Sequence, residues 1–336
     1  MSRLAIGLIV AAAVALCALM PYLGDYPLHV IILVALYGSL AMSWNVLGGM
    51  SGQISLGHAL FVGSGAYLST ALFLYGHVNP WLGMLAAVPL GAALGATIGY
   101  VVFSRQLAGI YFALVTLALS EMALFLVSNI DALGSSNGLS VPPGGGGAMM
   151  QFSGKLGYCY VILGLLAIVV AVSVRVRYSR LGYMLAAVRE NERAAAALGI
   201  NVIGCKATAA AISGALAAPL GGFYAQYVMF VDPISVMGVH LSVDALTFAF
   251  VGGVNAVFGP LLGAAVLVPL TEMLRAHLGG GFSGAHLIVY GAIIILVVRV
   301  APNGLSGFLV PLARRCRARL EGDGANVWMT LFRRRS

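Results

Sequence analysis

The stretch GYCYVILGLLAIVVAVSVRVRYSR, residues 157–180, decides the fold class because it joins a long apolar run to a cluster of arginines. Its first 18 residues carry no charged side chain, and a helix needs about 20 apolar residues to cross the hydrocarbon core of a bilayer. Arg175, Arg177 and Arg180 follow at once, as expected where a membrane helix reaches the lipid–water interface. The stretch therefore predicts a transmembrane helix over 157–175 that ends in a charged loop.

The composition of the whole chain extends this interpretation to a polytopic membrane protein. Of its 336 residues, 61% are hydrophobic and 8% are charged, whereas soluble domains carry about 25% charged residues. The net charge of +8 does not indicate nucleic-acid binding, because no basic patch on a soluble domain accompanies it. Four scattered cysteines show neither metal-ligand nor disulfide spacing. We predict an all-α bundle of membrane helices that binds no metal and no cofactor.

Ten apolar windows are long enough to be candidate membrane spans. The eighth and ninth are short and contain several glycines and Pro260, so they are predicted either as two spans or as one broken, re-entrant hairpin. The prediction is therefore eight to ten transmembrane helices. The first window is interpreted as a retained helix, because it is longer than the apolar region of a cleaved signal peptide. The windows are 4–22, 28–48, 57–76, 81–103, 108–128, 157–175, 206–228, 243–258, 261–276 and 286–301.

The positions of lysine and arginine predict the orientation, because cytoplasmic loops accumulate these residues. With ten crossings and a cytoplasmic N-terminus, all of the 18 basic residues except Lys155 and Arg275 lie on the cytoplasmic side. Both termini are then predicted to be cytoplasmic. Residues 1–301 form the predicted transmembrane domain, residues 302–336 a basic cytoplasmic tail, and residues 129–157 a loop on the outer side.

A second long hydrophilic segment, the cytoplasmic loop 176–205, contains good helix formers from Gly182 to Leu198. Apolar residues recur there at helical spacing, and charges of both signs alternate on the exposed part. Such a helix could lie on lipid headgroups, but its acidic residues and its small alanine face favour a protein groove. We predict that it docks on a partner protein. The predicted docking residues are Arg189, Glu190, Asn191, Glu192, Arg193, Ala194, Ala195 and Gly199.

This loop resembles the coupling loop of importer-type ABC permeases, whose pattern is Glu-Ala-Ala followed by Gly. Residues 178–202, YSRLGYMLAAVRENERAAAALGINV, are similar to the cytoplasmic loop of the LivM and LivH type of permease, the branched-chain amino acid family. Four more segments resemble recurrent segments of that family, in the family's order along nearly the whole chain. They are GGMSGQISLGHALFVGSGAY (48–67), GIYFALVTLALSEM (109–122), FVGGVNAVFGPLLGAAVL (250–267) and APNGLSGFL (301–309).

The resemblance implies a permease domain that serves as one membrane-spanning subunit of an ABC importer, a transport subunit and not an enzyme. It also implies two cytoplasmic ATPase subunits, a second homologous or identical permease subunit and a periplasmic solute-binding protein. The chain carries no Gly-Lys-Ser/Thr phosphate-binding motif, so ATP would be used by the partner subunits. The expected solute is a branched-chain amino acid, while relatives with the same motifs handle urea, short amides or aromatic acids.

Polar side chains within the predicted spans are candidates for a translocation pathway. An unpaired dipole in hydrocarbon costs several kcal/mol, so each such group must face protein or a water-filled path. Intramembrane acids carry the same requirement, and Glu272 and Arg275 are spaced to satisfy it by pairing with each other. The alternative for the remaining polar groups is hydrogen bonding between helices alone. The predicted pathway residues are Gln53, Ser55, His58, Tyr67, Tyr111, Thr116 and Glu121.

Two other classes of function stay open on the sequence alone. An ion-coupled secondary transporter would use discontinuous helices near the bilayer midplane, which the windows 243–258 and 261–276 would suit, but it gives no reason for the helix in the cytoplasmic loop. An intramembrane enzyme based on Ser55 and His58 would need a nucleophile and a base in a hydrated pocket, and no third orienting group accompanies them.

Overall fold

The computed structural model describes residues 19–107, 109–144, 146–254, 256–278, 291–292, 295, 299 and 304–307. These residues are mostly helical, with one two-stranded antiparallel sheet formed by β1 (Leu139–Ser140) and β2 (Phe230–Val231). Short 3-10 helices cover Met20–Tyr22, Asp131–Leu133, Ser135–Asn137 and Gly147–Met149. The α-helices are α1 (Asp25–Ser51), α2 (His58–Gly76), α3 (Pro80–Ser104), α4 (Ile110–Ser128), α5 (Lys155–Arg177), α6 (Arg180–Glu190), α7 (Glu192–Ala197), α8 (Val202–Val228), α9 (Pro233–Met237), α10 (Val239–Gly252) and α11 (Gly259–Leu278).

Eight helical segments of the described residues are long and apolar enough to cross a membrane, namely α1 to α5, α8, α9 together with α10, and α11. They overlap the second to ninth predicted windows, although the segment of the eighth window begins at Pro233 instead of 243, and they confirm the all-α polytopic class. The central helix is α1, which packs on α5, α8, α10 and α11. The first window, the tenth window and the basic tail lie almost entirely outside the described residues.

The segment predicted either as two spans or as a broken hairpin contains two helices, because α10 ends at Gly252 and α11 begins at Gly259, among the glycines where the sequence predicts an interruption. A further break at Gly238, just before this segment, separates α9 from α10. Asp232 caps α9 by accepting a 3.0 Å hydrogen bond from the backbone N–H of Ser235, and the extended backbone at Gly238 separates the two helices. Gly252 and Gly259 instead let α10 and α11 approach each other backbone to backbone, because a Cβ at Gly252 would collide with the Gly259 carbonyl.

The connecting segments distinguish the two ends of the bundle. At the glycine-loop end, residues 129–154 pair through β1 with β2, which directly follows α8. The Tyr75 hydroxyl also donates a 2.6 Å hydrogen bond to the Ala132 carbonyl there. At the opposite end, the linker end, α6 and α7 connect α5 to α8. The two long hydrophilic segments therefore lie on opposite sides of the bundle, as the sequence predicts.

Three glycines of α3 set its contact with α8. Gly91, Gly95 and Gly99 are four residues apart, so they share one face of the helix. A Cβ on Gly91 or Gly95 would collide with a carbonyl oxygen of α8, that of Gly214 or of Ala210. This small-residue ladder therefore serves packing within one subunit.

Replacing Gly95 with valine is expected to prevent stable folding, because the branched side chain would have to displace the backbone of α8. Gly164 of α5 supplies the matched control, since a Cβ there meets no atom within 4 Å. We expect Gly164→Val to accumulate in the membrane at the parent level and Gly95→Val to accumulate at less than a tenth of it. Quantitative immunoblots of membrane fractions measure both, and equal amounts would show that the two helices are not in close contact.

Candidate coupling and translocation site

The segment of residues 52–57 turns back into the bundle after α1 ends. Gly52 closes α1 in the left-handed conformation, with φ of 73°, and its N–H donates to the Gly48 carbonyl at 3.0 Å. The Trp44 indole N–H then donates a 2.8 Å hydrogen bond to the carbonyl of Ser55. Since Trp44 lies seven residues before the end of α1, the chain has returned by about 10 Å along that helix. We call residues 52–57 the re-entrant segment.

Thr116 of α4 holds the other side of the re-entrant segment. Its hydroxyl oxygen accepts a 3.1 Å hydrogen bond from the backbone N–H of Leu56 and donates to the carbonyl of Ala113. Gly57 lies so close that a Cβ there would collide with the Thr116 carbonyl oxygen. Two of the predicted pathway residues, Ser55 and Thr116, therefore meet around non-helical backbone inside the bundle, where unpaired polar groups would be costly.

His58, the first residue of α2, joins this segment to three other helices. Its Nε2 lies 2.7 Å from the Ser213 hydroxyl of α8, which donates to the Ser43 carbonyl of α1 at 2.7 Å. The Ser213 hydroxyl donates its proton to that carbonyl, so it must accept from Nε2 of His58. Nδ1 then accepts a 3.2 Å hydrogen bond from the Ser55 hydroxyl. The backbone N–H of Ala59 donates to Ser242 of α10 at 2.8 Å. We call these contacts the His58 network.

The His58 network is closed to solvent in this conformation. Ser55, His58 and Ser213 are each buried, and both ring nitrogens of the histidine have partners. A cavity of about 10 Å³ beside Ser55 and Thr116 has room for roughly one water molecule. The network therefore braces four helices around the re-entrant segment, and it does not line an open channel.

The remaining predicted pathway residues are not brought into this network. Tyr67 is buried further along α2, and its hydroxyl makes no hydrogen bond within the described residues. Tyr111 is 64% exposed on the outward face of α4. Glu121 lies half-buried on the same helix, and within the described part of the chain it has neither an ion pair nor a hydrogen bond. Gln53 points to the linker end and contacts α7.

The linker contains two helices where the sequence predicted one from Gly182 to Leu198, so that prediction was wrong. The chain breaks at Asn191, whose backbone is extended and whose side chain accepts a 3.0 Å hydrogen bond from the N–H of Ala194. Asparagine is a favoured N-cap, and this local hydrogen bond competes with continuation of the helix. Gly199 ends the second helix with a positive φ of 84°, as expected for a C-terminal glycine.

Glu192 fastens α7 to the membrane helices. Its Oε1 lies 2.5 Å from the Nζ of Lys206 in α8 and accepts a 3.3 Å hydrogen bond from Gln53 of the re-entrant segment. A second contact runs parallel, since the guanidinium of Arg189 donates to the Gly49 carbonyl of α1 at 2.8 Å. We call the contacts among Glu192, Lys206 and Gln53 the linker latch. The latch connects the exposed linker directly to the segment that carries Ser55.

Lys206 belongs to the linker latch, and the sequence analysis did not single it out. It is 2% exposed, and its ammonium lies 5.0 Å from the centre of the Phe103 ring. In the sequence it contributes only to the positive charge of the cytoplasmic side. The signal that could have found it is its place at the start of an otherwise apolar span, because a buried ammonium requires a partner.

The predicted docking residues divide into an inner and an outer set. Ala195 is buried and Glu192 faces the latch with 40% of its side chain exposed. Leu198, which is not in the predicted set, also faces outward, with 82% of the residue exposed. The exposed members of the predicted set are Arg189, Glu190, Asn191, Arg193, Ala194 and Gly199.

Comparison with known proteins gives a consistent result. Residues 26–298 match the family model described as the permease component of branched-chain amino acid transport systems. LivM, a high-affinity branched-chain amino acid transport system permease protein, from Salmonella typhimurium and from Escherichia coli K12 is 29% identical, over 86% and 87% of this chain and 72% and 73% of those proteins. LivH from Salmonella typhimurium is 25% identical over 81% of this chain and 91% of its own length. No solved structure matches. The chain belongs to the family of permease components of branched-chain amino acid transport systems.

Proposed function

We propose that this protein is the membrane-spanning subunit of an ABC importer whose linker helices transmit ATPase movement to the re-entrant segment. The observation that carries the mechanism is the linker latch, in which one carboxylate of α7 holds both Lys206 and Gln53. A helix that merely rests on lipid headgroups needs no such contact with the membrane helices. Movement of α7 by a few ångströms would pull on residues 52–57 and thereby on the His58 network.

The partners follow from this assignment. Two ATPase subunits bind the exposed linker face and use the ATP, a second homologous or identical permease subunit completes the membrane part, and a periplasmic binding protein delivers the solute. The linker end then faces the cytoplasm of the bacterium, with the protein in the inner membrane and both termini cytoplasmic. The concentration of arginine at this end supports that orientation. The coupling loop 176–205 and the permease domain 1–301 keep their predicted bounds in this proposal.

The solute we propose is a branched-chain amino acid. The support is the family match and the names of the LivM and LivH relatives. Urea, a short amide or an aromatic acid is the alternative within the same machinery. Uptake of labelled solutes by the complete transporter distinguishes these substrates. Uphill uptake by the reconstituted chain alone on an ion gradient would instead establish a secondary transporter.

Helix α4 carries the proposed pathway surface. Among the described residues, Tyr111 is exposed on its outward face, and Glu121 is half-buried with neither an ion pair nor a hydrogen bond. A carboxylate in a membrane span is tolerated where it meets water, a solute or a partner subunit. A pathway between two permease subunits would supply water to this face. The His58 network lies behind it as the element that opens or closes the path.

Changing Leu198 to aspartate tests the docking face. We expect this variant to lose at least 90% of its ATPase association, because a large exposed leucine suits a protein groove and a carboxylate in that groove would be desolvated without a partner. Met149→Asp, an exposed apolar residue at the opposite end of the bundle, is the matched control and should bind normally. Co-purification of the ATPase from membranes measures both, and undiminished binding by Leu198→Asp would contradict the docking role.

A further inference from the structure

A cavity of about 440 Å³ lies among α1, α8, α10 and α11, separate from the His58 network. It lies toward the glycine-loop end, because α1 and α10 begin at that end and α8 and α11 finish there. Its lining residues are spaced three or four apart along each helix, as Asp244 and Phe248 of α10 show, so one face of each helix points into it. The volume falls in the range of cavities that hold small organic ligands.

The chemistry of the walls divides into charged and apolar parts. Asp244 has no ion pair and no hydrogen bond within the described residues, although it is half-buried in a membrane segment. Across the cavity, Arg275 pairs with Glu272 at 3.3 Å and is otherwise exposed. Leu33, Phe248 and Val268 supply apolar surface to the same cavity.

The predicted pairing of Glu272 with Arg275 is confirmed, and Asp244 is then the carboxylate of the cavity wall that has no cation among the described residues. A desolvated carboxylate is costly unless a positive group joins it. The guanidinium of Arg275 has five N–H donors, and its ion pair with Glu272 runs through one nitrogen, so it can still accept a second carboxylate. The cavity therefore presents one position for an ammonium, one for a carboxylate and an apolar wall.

We propose that this cavity is a solute-receiving site that holds an aliphatic α-amino acid as its zwitterion. The ammonium lies at Asp244, the carboxylate at Arg275, and the side chain against Leu33, Phe248 and Val268. This assignment rests on the proposed function, and it places the site at the end where a binding protein would deliver its solute. No residue predicted from the sequence for the pathway belongs to it.

A second, smaller cavity of about 120 Å³ continues inward. It shares Tyr37, Tyr224 and His240 with the larger one, and it reaches Val62 of α2, four residues after His58. The smaller cavity therefore lies between the receiving site and α2, the helix that begins at His58. The aromatic walls at this junction also suit the passage of an ammonium group, through its attraction to ring faces.

Thiol protection on the purified full-length chain tests the site. In the Leu33→Cys variant, a maleimide should label the new thiol above the background of the parent's own cysteines, and L-leucine should slow the labelling. Adding Asp244→Asn should raise the leucine concentration for half-protection at least tenfold, whereas Asp131→Asn, an exposed loop carboxylate, should leave it unchanged.

Leucine analogues assign the two charges. 3-Methylbutylamine lacks the carboxylate and should lose its protection in Asp244→Asn, while 4-methylpentanoate lacks the ammonium and should lose its protection in Arg275→Gln. The site would be overturned if leucine failed to protect the thiol introduced by Leu33→Cys. Equal half-protection concentrations with and without Asp244→Asn would also overturn it. Leucine uptake by the complete parent transporter is measured separately, so loss of the site and loss of the proposed function give different results.

Discussion

Replacing Glu192 with alanine is expected to abolish solute uptake while the ATPase subunits remain bound. The change removes the carboxylate that joins α7 to Lys206 and Gln53, but leaves the exposed docking face intact. It also leaves a buried ammonium without a partner, and breaking a buried pair costs about 3 to 5 kcal/mol. The free energy lost here is smaller, because 40% of the Glu192 side chain is exposed. Uptake and ATP hydrolysis measured on one preparation should show hydrolysis without transport.

A variant of Lys206, the residue paired with Glu192, supplies the control. Lys206→Met keeps the length of the side chain and leaves Glu192 half-exposed, where water can solvate it. We expect Lys206→Met to destabilise the protein less than Glu192→Ala does, and the double variant to unfold at a higher temperature than Glu192→Ala alone. Neither single variant nor the double variant should transport at more than about a tenth of the parent rate. Parent-level uptake by any of the three would exclude the latch from coupling.

Replacing His58 with leucine is expected to reduce uptake at least tenfold and to lower the thermal unfolding temperature. Leucine fills a similar volume but cannot bond to Ser55 or Ser213. The Ser55 hydroxyl then loses its acceptor, at a cost of about 1 to 3 kcal/mol, while Ser213 keeps its bond to the Ser43 carbonyl. The re-entrant segment would then lose its connection to Ser213 of α8. Thermal unfolding in detergent and initial uptake rates in proteoliposomes measure the two effects.

His277→Leu is the matched control, since His277 is exposed at the end of α11 and bonds only to the Met273 carbonyl within the described residues. It should leave both the unfolding temperature and the uptake rate unchanged. Glutamine at position 58 retains a donor and an acceptor. His58→Gln should therefore recover part of the uptake rate and part of the unfolding temperature that His58→Leu loses. If His58→Leu transports as well as His277→Leu does, the network is not part of the mechanism.

The membrane segments could be predicted from sequence because the bilayer imposes one requirement on each of them, a run of about 20 apolar residues. The close contact between α3 and a neighbouring helix is likewise predictable from sequence, because Gly91, Gly95 and Gly99 are small residues four apart on one helix face. The interruption between Gly252 and Gly259 was predicted from the glycines there, whereas the additional break at Gly238 between α9 and α10 was not. Glycine in a membrane helix marks either a bend or a close approach, and the local sequence does not distinguish the two.

The candidate site was predicted in part. The sequence identified Ser55, His58 and Thr116 through their polarity in an apolar setting, and the structure brings these three together. Glu192 was assigned to docking on a partner, whereas its side chain turns inward to Lys206. That pairing joins residues 14 positions apart across a turn, with a third member 139 positions away, so no local periodicity encodes it.

Helix α8 is held at both of its ends. At one end, Lys206 forms the ion pair of the linker latch with Glu192. At the other end, β2 follows the last turn of α8 and pairs with β1 of the glycine-rich loop. Its 27 residues extend about 40 Å, the full depth of the membrane with its headgroups. Under the proposed function, α8 would therefore connect the two ends of the bundle. Binding of a partner at one end and of nucleotide at the other would then act on the same helix, and each would change the binding free energy of the other by an equal amount.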